Sequence, residues 1–285
     1  MSHSITFGLQ TLGLGWEEQR DAWKRYDVEG WDSLWLPDHL MTPMSSPDTF
    51  HEAWMALAAL ANLTTQARVG VLVSSNTFRH PSVLAKQAVT VDHISGGRLD
   101  LGIGAGWFEA EHEAFGIELP PIGERVSRYA EALALLDEFL RNDLTTFDGK
   151  YYQLKDAPNR PPPVQQPRIP FMIGAHGPRT IAIAARYANT WNSRGTVQEM
   201  KDRNALIDAA CAKYGRDPLE IIRSVSFFPA RTDKRVWTSV DTFVDWVEQY
   251  RAVGFTDFIF EAPAEEDRET ASRIAREILP QLRES

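Results

Sequence analysis

The chain has one cysteine, Cys211, in 285 residues, so no disulfide can form within it. Cys211 stands among Ala209, Ala210 and Ala212 in a helix-like stretch, which suits a small packed residue better than a reactive thiol. No apolar run of about 18 residues and no signal-peptide core occurs, which excludes a membrane-spanning helix and predicts a soluble, cytoplasmic protein. Positive charge is also short: 30 Lys and Arg face 39 Asp and Glu, for a net charge of −9. Nucleic acid and anionic membranes both demand a basic face, so the expected partners are small molecules or a second copy of the chain. Neither G-x-G-x-x-G nor Gly-Lys-Ser/Thr is present at the main glycine cluster, so the two commonest nucleotide motifs are absent there. Metal-binding spacing is missing as well. Glu109, Glu111, His112 and Glu113 are crowded together with only Glu109 and Glu113 at i, i+4, the pattern of a solvated helix start.

What the chain does have is a strand running into a glycine-rich mouth at 97–107, Gly-Arg-Leu-Asp-Leu-Gly-Ile-Gly-Ala-Gly-Trp. Leu99, Leu101 and Ile103 alternate as in a buried strand. Gly102, Gly104 and Gly106 remove side chains where a flat ligand could lie against backbone. Seven more strands are expected at 5–9, 32–37, 67–74, 168–173, 189–192, 221–228 and 257–261, each followed by a helical pattern. The clearest helix spans 124–141, with Val126, Tyr129, Ala130, Leu133, Leu136 and Leu140 on one face. A hairpin turning at Asp148-Gly149 and a proline-rich, extended surface connection over 158–170 interrupt the alternation. Eight strand–helix units in a chain of 43% hydrophobic composition predict one α/β domain over 1–285. Its architecture is a (β/α)8 TIM barrel with insertions, the hairpin and proline-rich segment lying around 144–168. The carboxyl ends of the strands then bring Asp38-His39, Ser74-Ser75, 104–107, 174–177, Trp191-Asn192 and Glu261 around one mouth.

Five landmarks fall in order along the chain: Leu-Pro-Asp-His at 36–39, Ser-Ser-Asn-Thr-Phe-Arg-His-Pro at 74–81, the 95–107 stretch with Glu111 and Phe115-Gly116, Phe-Asp-Gly-Lys-Tyr-Tyr at 147–152, and Ile-Gly-Ala-His-Gly-Pro-Arg at 173–179. Together they resemble the luciferase-like monooxygenase superfamily, in particular its F420-dependent oxidoreductases. The resemblance implies a barrel that acts as a homodimer and binds F420, or FMN in the alternative, with the ring near the barrel axis. It implies catalytic roles for His39 and Asp38 at the end of the second strand. Asp38, Leu72, Val73, Ser75, Gly104, Ala105 and Gly106 would contact the cofactor ring, with Leu72 and Val73 forming a bulge joined by a cis peptide bond. Gly174, Ala175, His176 and Gly177 would hold the phosphate arm, and His39, Trp107 and Glu111 would meet the substrate. One departure stands out: the glucose-6-phosphate dehydrogenase branch carries glutamate directly after the glycine turn, where this chain has Trp107, so a sugar phosphate is not expected.

The chemistry of these residues agrees with the resemblance. Glycines and Pro178 ahead of a helix leave backbone N–H groups and the positive end of its dipole open to a phosphate. Histidine titrates near neutrality, so His39 can exchange a proton as hydride moves, or it can merely position the ring. Asp38 reads as its orienting partner or a hydrogen-bond acceptor. Three functions follow: an F420-dependent hydride transfer, an FMN monooxygenase using reduced flavin and O2, or a protein that binds a flavin without turnover. The substrate is left to the loops at 41–50 and 107–117, which no local rule predicts.

Overall fold

The computed structural model describes residues 3–43, 49–227 and 236–284. The chain runs β1 (Thr6–Gln10), α1 (Trp16–Glu29), β2 (Ser33–Leu36), α2 (Ala53–Ala61), β3 (Arg68–Val71), a short β4 (Ser74–Ser75) and α3 (Pro81–Ser95). β5 (Leu99–Gly104) leads through α4 (Glu109–Phe115) to the long α5 (Ile122–Arg141) and an antiparallel hairpin, β6 (Leu144–Asp148) and β7 (Gln153–Pro158). The alternation resumes with β8 (Phe171–Gly174), α6 (Pro178–Tyr187), β9 (Thr190–Ser193), α7 (Val197–Tyr214), β10 (Ile222–Phe227), α8 (Val240–Arg251), β11 (Asp257–Glu261) and α9 (Arg268–Arg273). A π turn at Ile274–Ile278 joins α9 to α10 (Leu279–Glu284). Pro280 has no N–H to give the carbonyl four residues back, which accounts for the widened turn before it.

All strands but the hairpin form one sheet in the order β3-β2-β1-β11-β10-β9-β8-β5-β4, and a β3–β5 pairing closes it. β3 and β4 are two halves of a single stave, so the closed sheet is the predicted eight-stranded parallel barrel. The expected strand 67–74 breaks at Leu72–Val73, whose peptide bond is cis. The seventh strand ends at Phe227, and Phe228 lies outside the described residues.

Alternation along each strand divides the side chains between two environments. Phe7, Leu34, Val69, Leu101, Ile173, Trp191, Val225 and Phe258 join the main core shared with the surrounding helices. Trp35, Met172 and Ile259, with Leu72 against them, form a separate small cluster within the lumen. Trp35 needs its neighbours to be glycine: a Cβ on Gly8 or Gly70 would collide with Ser33 Oγ or the Trp35 ring. The indole N–H donates to Ser33 Oγ at 2.8 Å.

The lumen is otherwise polar toward the amino ends of the strands. Arg68 donates to both oxygens of Asp100 at 2.6 and 2.7 Å and to Gln165 Oε1 at 3.0 Å. Gln165 in turn donates to Leu99 O and Asp92. The proline-rich connection therefore closes the barrel floor, where the sequence predicted only a surface crossing. Asp92 anchors it by accepting from the backbone N–H groups of Val164 and Gln165, a long-range partner that local composition cannot reveal. Asp257 is buried nearby and accepts from Thr6 at 2.7 Å and Ser224 at 2.5 Å. Burial pushes its carboxyl up to about 6.

Candidate active site

Pro37 ends β2 and turns the chain so that Asp38 and His39 leave the barrel at its carboxyl end, but the two side chains go to different partners. Asp38 is buried and forms a two-pronged ion pair with Arg79, at 2.5 and 3.0 Å. Its Oδ2 also accepts from Ser75 N–H at 2.7 Å. Arg79 reaches on to Glu52 at 2.9 Å. Burial opposes the Arg79 charge, yet the two carboxylates hold it protonated. Asp38 thus ties the end of β2 to the turn before α3, the hydrogen-bond acceptor of the two roles open to it and not the partner that orients His39.

His39 is oriented by Glu111 instead. Its Nδ1 lies 3.1 Å from Glu111 Oε2, and Glu111 Oε1 accepts from the backbone N–H groups of Leu40 and Met41. A carboxylate only accepts, so Nδ1 carries the proton and Nε2 remains without a hydrogen-bond partner among the described residues. The Glu111 carboxyl is pushed up by burial, but the hydrogen bonds and charge of His39 and the two backbone donors outweigh this and hold it below the usual range. Glu111 is 1% exposed. With both oxygens engaged beneath His39, it serves the imidazole. Three aromatic rings stand edge-on around that imidazole: Trp107 at 5.8 Å, Phe108 at 6.1 Å and Phe50 at 6.4 Å. Trp107 is half exposed. Residues 44–48 of the adjoining loop lie outside the described residues.

The glycine-rich stretch also makes room for the neighbouring stave. A Cβ on Gly102 would overlap Val71 O, one on Gly104 would meet Val73 Cγ2 at 2.7 Å, and one on Gly106 would meet Ser75 Oγ and Thr77 Oγ1, each at 2.7 Å. The room vacated by these glycines is filled by the broken third stave. Gly174 across the lumen makes way for the same Val73 side chain, 3.1 Å from its would-be Cβ. Val73 therefore projects between the ends of β5 and β8, and only small residues at 104 and 174 allow it. Gly106 also has φ +82°, a conformation that favours glycine.

Beneath Gly106 runs a hydrogen-bonded chain. Ser75 Oγ and Thr77 Oγ1 are 2.7 Å apart, Thr77 Oγ1 is 2.7 Å from His112 Nε2, and His112 Nδ1 is 2.7 Å from Phe108 O. Glu111 and His112 are thus buried with fixed partners, while Glu109 and Glu113 are exposed. The expected solvated helix start holds for only half of the cluster, because α4 turns one face inward. Across the mouth, Ala175 N–H donates to Asn192 O at 3.0 Å, and exposed His176 places Nδ1 2.8 Å from Ser193 Oγ. Gly177 begins α6 with no side chain capping the helix, and a Cβ there would meet nothing nearer than Thr180 Oγ1 at 3.9 Å.

Two contributors escaped the sequence reading. Arg79 was quoted only as part of a turn, although its pairing with Asp38 fixes that turn. Gln10, at the end of β1, had no role assigned, yet its Nε2 donates to Leu72 O at 2.9 Å and its buried Oε1 has no partner among the described residues. Gln10's inward register at the carboxyl end of a barrel strand was the available signal.

A family model described as luciferase-like monooxygenase matches residues 2–284. An F420-dependent glucose-6-phosphate dehydrogenase of Microbacterium testaceum is 29% identical, over 99% of this chain and 99% of that protein. Among solved structures, an F420-dependent secondary alcohol dehydrogenase in complex with an F420-acetone adduct superposes with a TM-score of 0.87 at 16% identity, covering 98% of this chain and 99% of the other. The coenzyme F420 dependent tetrahydromethanopterin reductase from Methanopyrus kandleri gives 0.83 at 18% identity, covering 98% and 100%.

Proposed function

The chain belongs to the luciferase-like monooxygenase family, and from that premise we propose that it is an F420-dependent oxidoreductase transferring a hydride between C5 of the deazaflavin and a small, apolar organic substrate. The observation that carries the reading is the His39–Glu111 pair, with Nε2 unspent, among aromatic rings at the barrel mouth.

The residues present fit such a cofactor. The uncapped start of α6 has open space at Gly177 for a phosphate, and Gln10 keeps a buried amide oxygen without a partner among the described residues beside the Leu72–Val73 bulge. Asp38, Leu72, Val73, Ser75, Gly104, Ala105 and Gly106 would hold the ring, and Gly174, Ala175, His176 and Gly177 the phosphate arm. When bound, the deazaflavin supplies two-electron redox chemistry. The protein supplies the proton: His39 Nε2 gives it to, or takes it from, a substrate oxygen or nitrogen, while Glu111 keeps Nδ1 protonated and balances the imidazolium charge. Trp107, Phe108 and Phe50 exclude water and favour a flat, apolar substrate over a sugar phosphate. We read 1–285 as one catalytic domain acting in the cytoplasm as a homodimer. Exposed Met55 and Val83 on the neighbouring helices α2 and α3 support the dimer, and no helix among the described residues is long and apolar enough to cross a membrane.

Titrating the apoprotein by fluorescence quenching tests the cofactor. F420 is expected to bind at about micromolar Kd or tighter, roughly −8 kcal/mol, and FMN at least about tenfold more weakly. Added salt should weaken F420 binding if Arg179 and Arg194, which follow β8 and β9, meet its anionic tail. Tighter binding of FMN would replace this reading with the reduced-flavin monooxygenase.

A further inference from the structure

At the turn that carries Ser75 and Arg79 lies a second cavity of about 320 Å3, lined by Asn76, Arg79, Glu118, Arg125, Arg128 and Tyr152 among others. It lies between the start of α3, the first turns of α5 and the β6–β7 hairpin. Three observations there point to one kind of ligand. Arg125 has no ion-pair or hydrogen-bond partner for its guanidinium among the described residues, and its Nε is buried. A buried guanidinium N–H without an acceptor costs free energy unless something supplies one. Asn76, 5% exposed, uses one end of its amide on Tyr152 OH at 3.2 Å and leaves the other end buried without a partner. Rotating the amide by half a turn gives its oxygen to the Tyr152 hydroxyl and its NH2 to the cavity. Finally, α5 starts at Pro121 with no side-chain cap, so its 20 residues direct the positive end of their dipole to this side.

The balance of charge agrees. Arg128 is matched by Glu118 at 3.5 Å and Glu124 at 2.7 Å, and Arg79 by Asp38 and Glu52, which leaves the Arg125 charge uncompensated. Another arginine-rich hollow differs in this respect. There Arg168 and Arg216 give their N–H groups to Ala185 O, Tyr187 O and Ala188 O at the end of α6 and to Asp137 and Glu220.

We propose that the Arg125 cavity is a binding site for a small oxyanion, a carboxylate or a phosphate, held by Arg125 with Asn76 and Tyr152. Asn76 belongs to the turn that also fixes Asp38, so an occupied cavity braces one wall of the mouth from behind. The assignment does not depend on which cofactor the mouth takes. The test is calorimetric titration of the full-length apoprotein with acetate and, separately, with inorganic phosphate, at constant ionic strength in chloride. Saturable binding of at least one is expected, and the better of the two distinguishes carboxylate from phosphate. Arg125→Gln should weaken it at least about tenfold, Tyr152→Phe should weaken it less, and Arg186→Gln in the other hollow should leave it unchanged. Should Arg125→Gln fail to fold, Arg125→Lys serves in its place, keeping the charge and losing the forked geometry. Failure of both anions to saturate below about 100 mM, or equal binding by wild type and the Arg125 variant, would overturn the assignment.

Discussion

The two ends of the barrel both bury charge and treat it in opposite ways. At the floor, the Arg68–Asp100–Gln165 network closes on itself, and Asp257 is enclosed by two hydroxyls. At the mouth, several buried groups leave something unspent. Glu111 is fully engaged but presents a histidine with a free Nε2, Gln10 is bound to Leu72 but keeps an orphaned oxygen, and α6 begins with open N–H groups. The contrast teaches that buried polarity alone does not locate function in this fold. Buried atoms without a partner among the described residues also occur away from the mouth, on Thr256 and Arg283, so what sets the mouth apart is an unspent group that faces it, and substitutions at the two ends should separate effects on rate from effects on stability.

The largest expected effect is at His39. His39→Ala should lower turnover by about 100-fold to 10,000-fold while cofactor affinity changes little, as measured by steady-state kinetics beside fluorescence titration. Equal losses in both would make His39 a positioning group, and no loss of rate would favour a binding protein without turnover.

Arg79 offers the sharpest way to break the comparison, since it lies at the mouth but acts as floor residues do. Arg79→Met strands the buried Asp38 carboxylate, and urea unfolding should show a loss of about 3–5 kcal/mol. A loss under about 1 kcal/mol would mean that Ser75 alone secures Asp38.

At the floor, Asp257 sets a pH dependence. Its folded-state value of about 6 lies above that of an unfolded aspartate. The stability it contributes is therefore complete below the unfolded value and is lost as pH rises through 6. Asp257→Asn cannot ionise, so it should abolish that decline and raise stability at pH 7 by up to ~3 kcal/mol, with turnover unchanged. An unaltered pH–stability profile would show that Thr6 and Ser224 already stabilise the ionised carboxylate.

The smallest effect sharpens the mouth itself. Gly177 has room for a side chain and an unremarkable φ of −95°, so Gly177→Val should leave Tm within about a degree or two. Cofactor Kd should still rise at least about tenfold, because the branched side chain occupies the space in front of the α6 N–H groups. Unchanged affinity would move the phosphate elsewhere.

Much of this architecture was legible in order along the chain. Period-2 runs of Leu, Ile, Val and Phe alternating with helical patterns specify the barrel, because a strand in a closed parallel sheet must feed both the outer core and the lumen. The same count placed Asp38, His39, Gly104 and Gly174 around one mouth. Partners were another matter. That His39 belongs to Glu111 and Asp38 to Arg79, that the glycines of β5 accommodate Val73, and that Gln165 closes the floor all depend on contacts across tens of residues. Adjacent positions such as Asp38 and His39 invite a pairing, but each side chain is engaged by a residue far along the chain.

By itself the sequence determined the elements, their order and the residues delivered to the strand ends, since periodicity and turn chemistry are local and act before the chain is closed. Only the tertiary structure decided which of those residues are spent on each other and which remain available to a ligand. Hydrogen-bond satisfaction is a property of the closed barrel, fixed when strands far apart in sequence bring their donors and acceptors within 3 Å or so of one another.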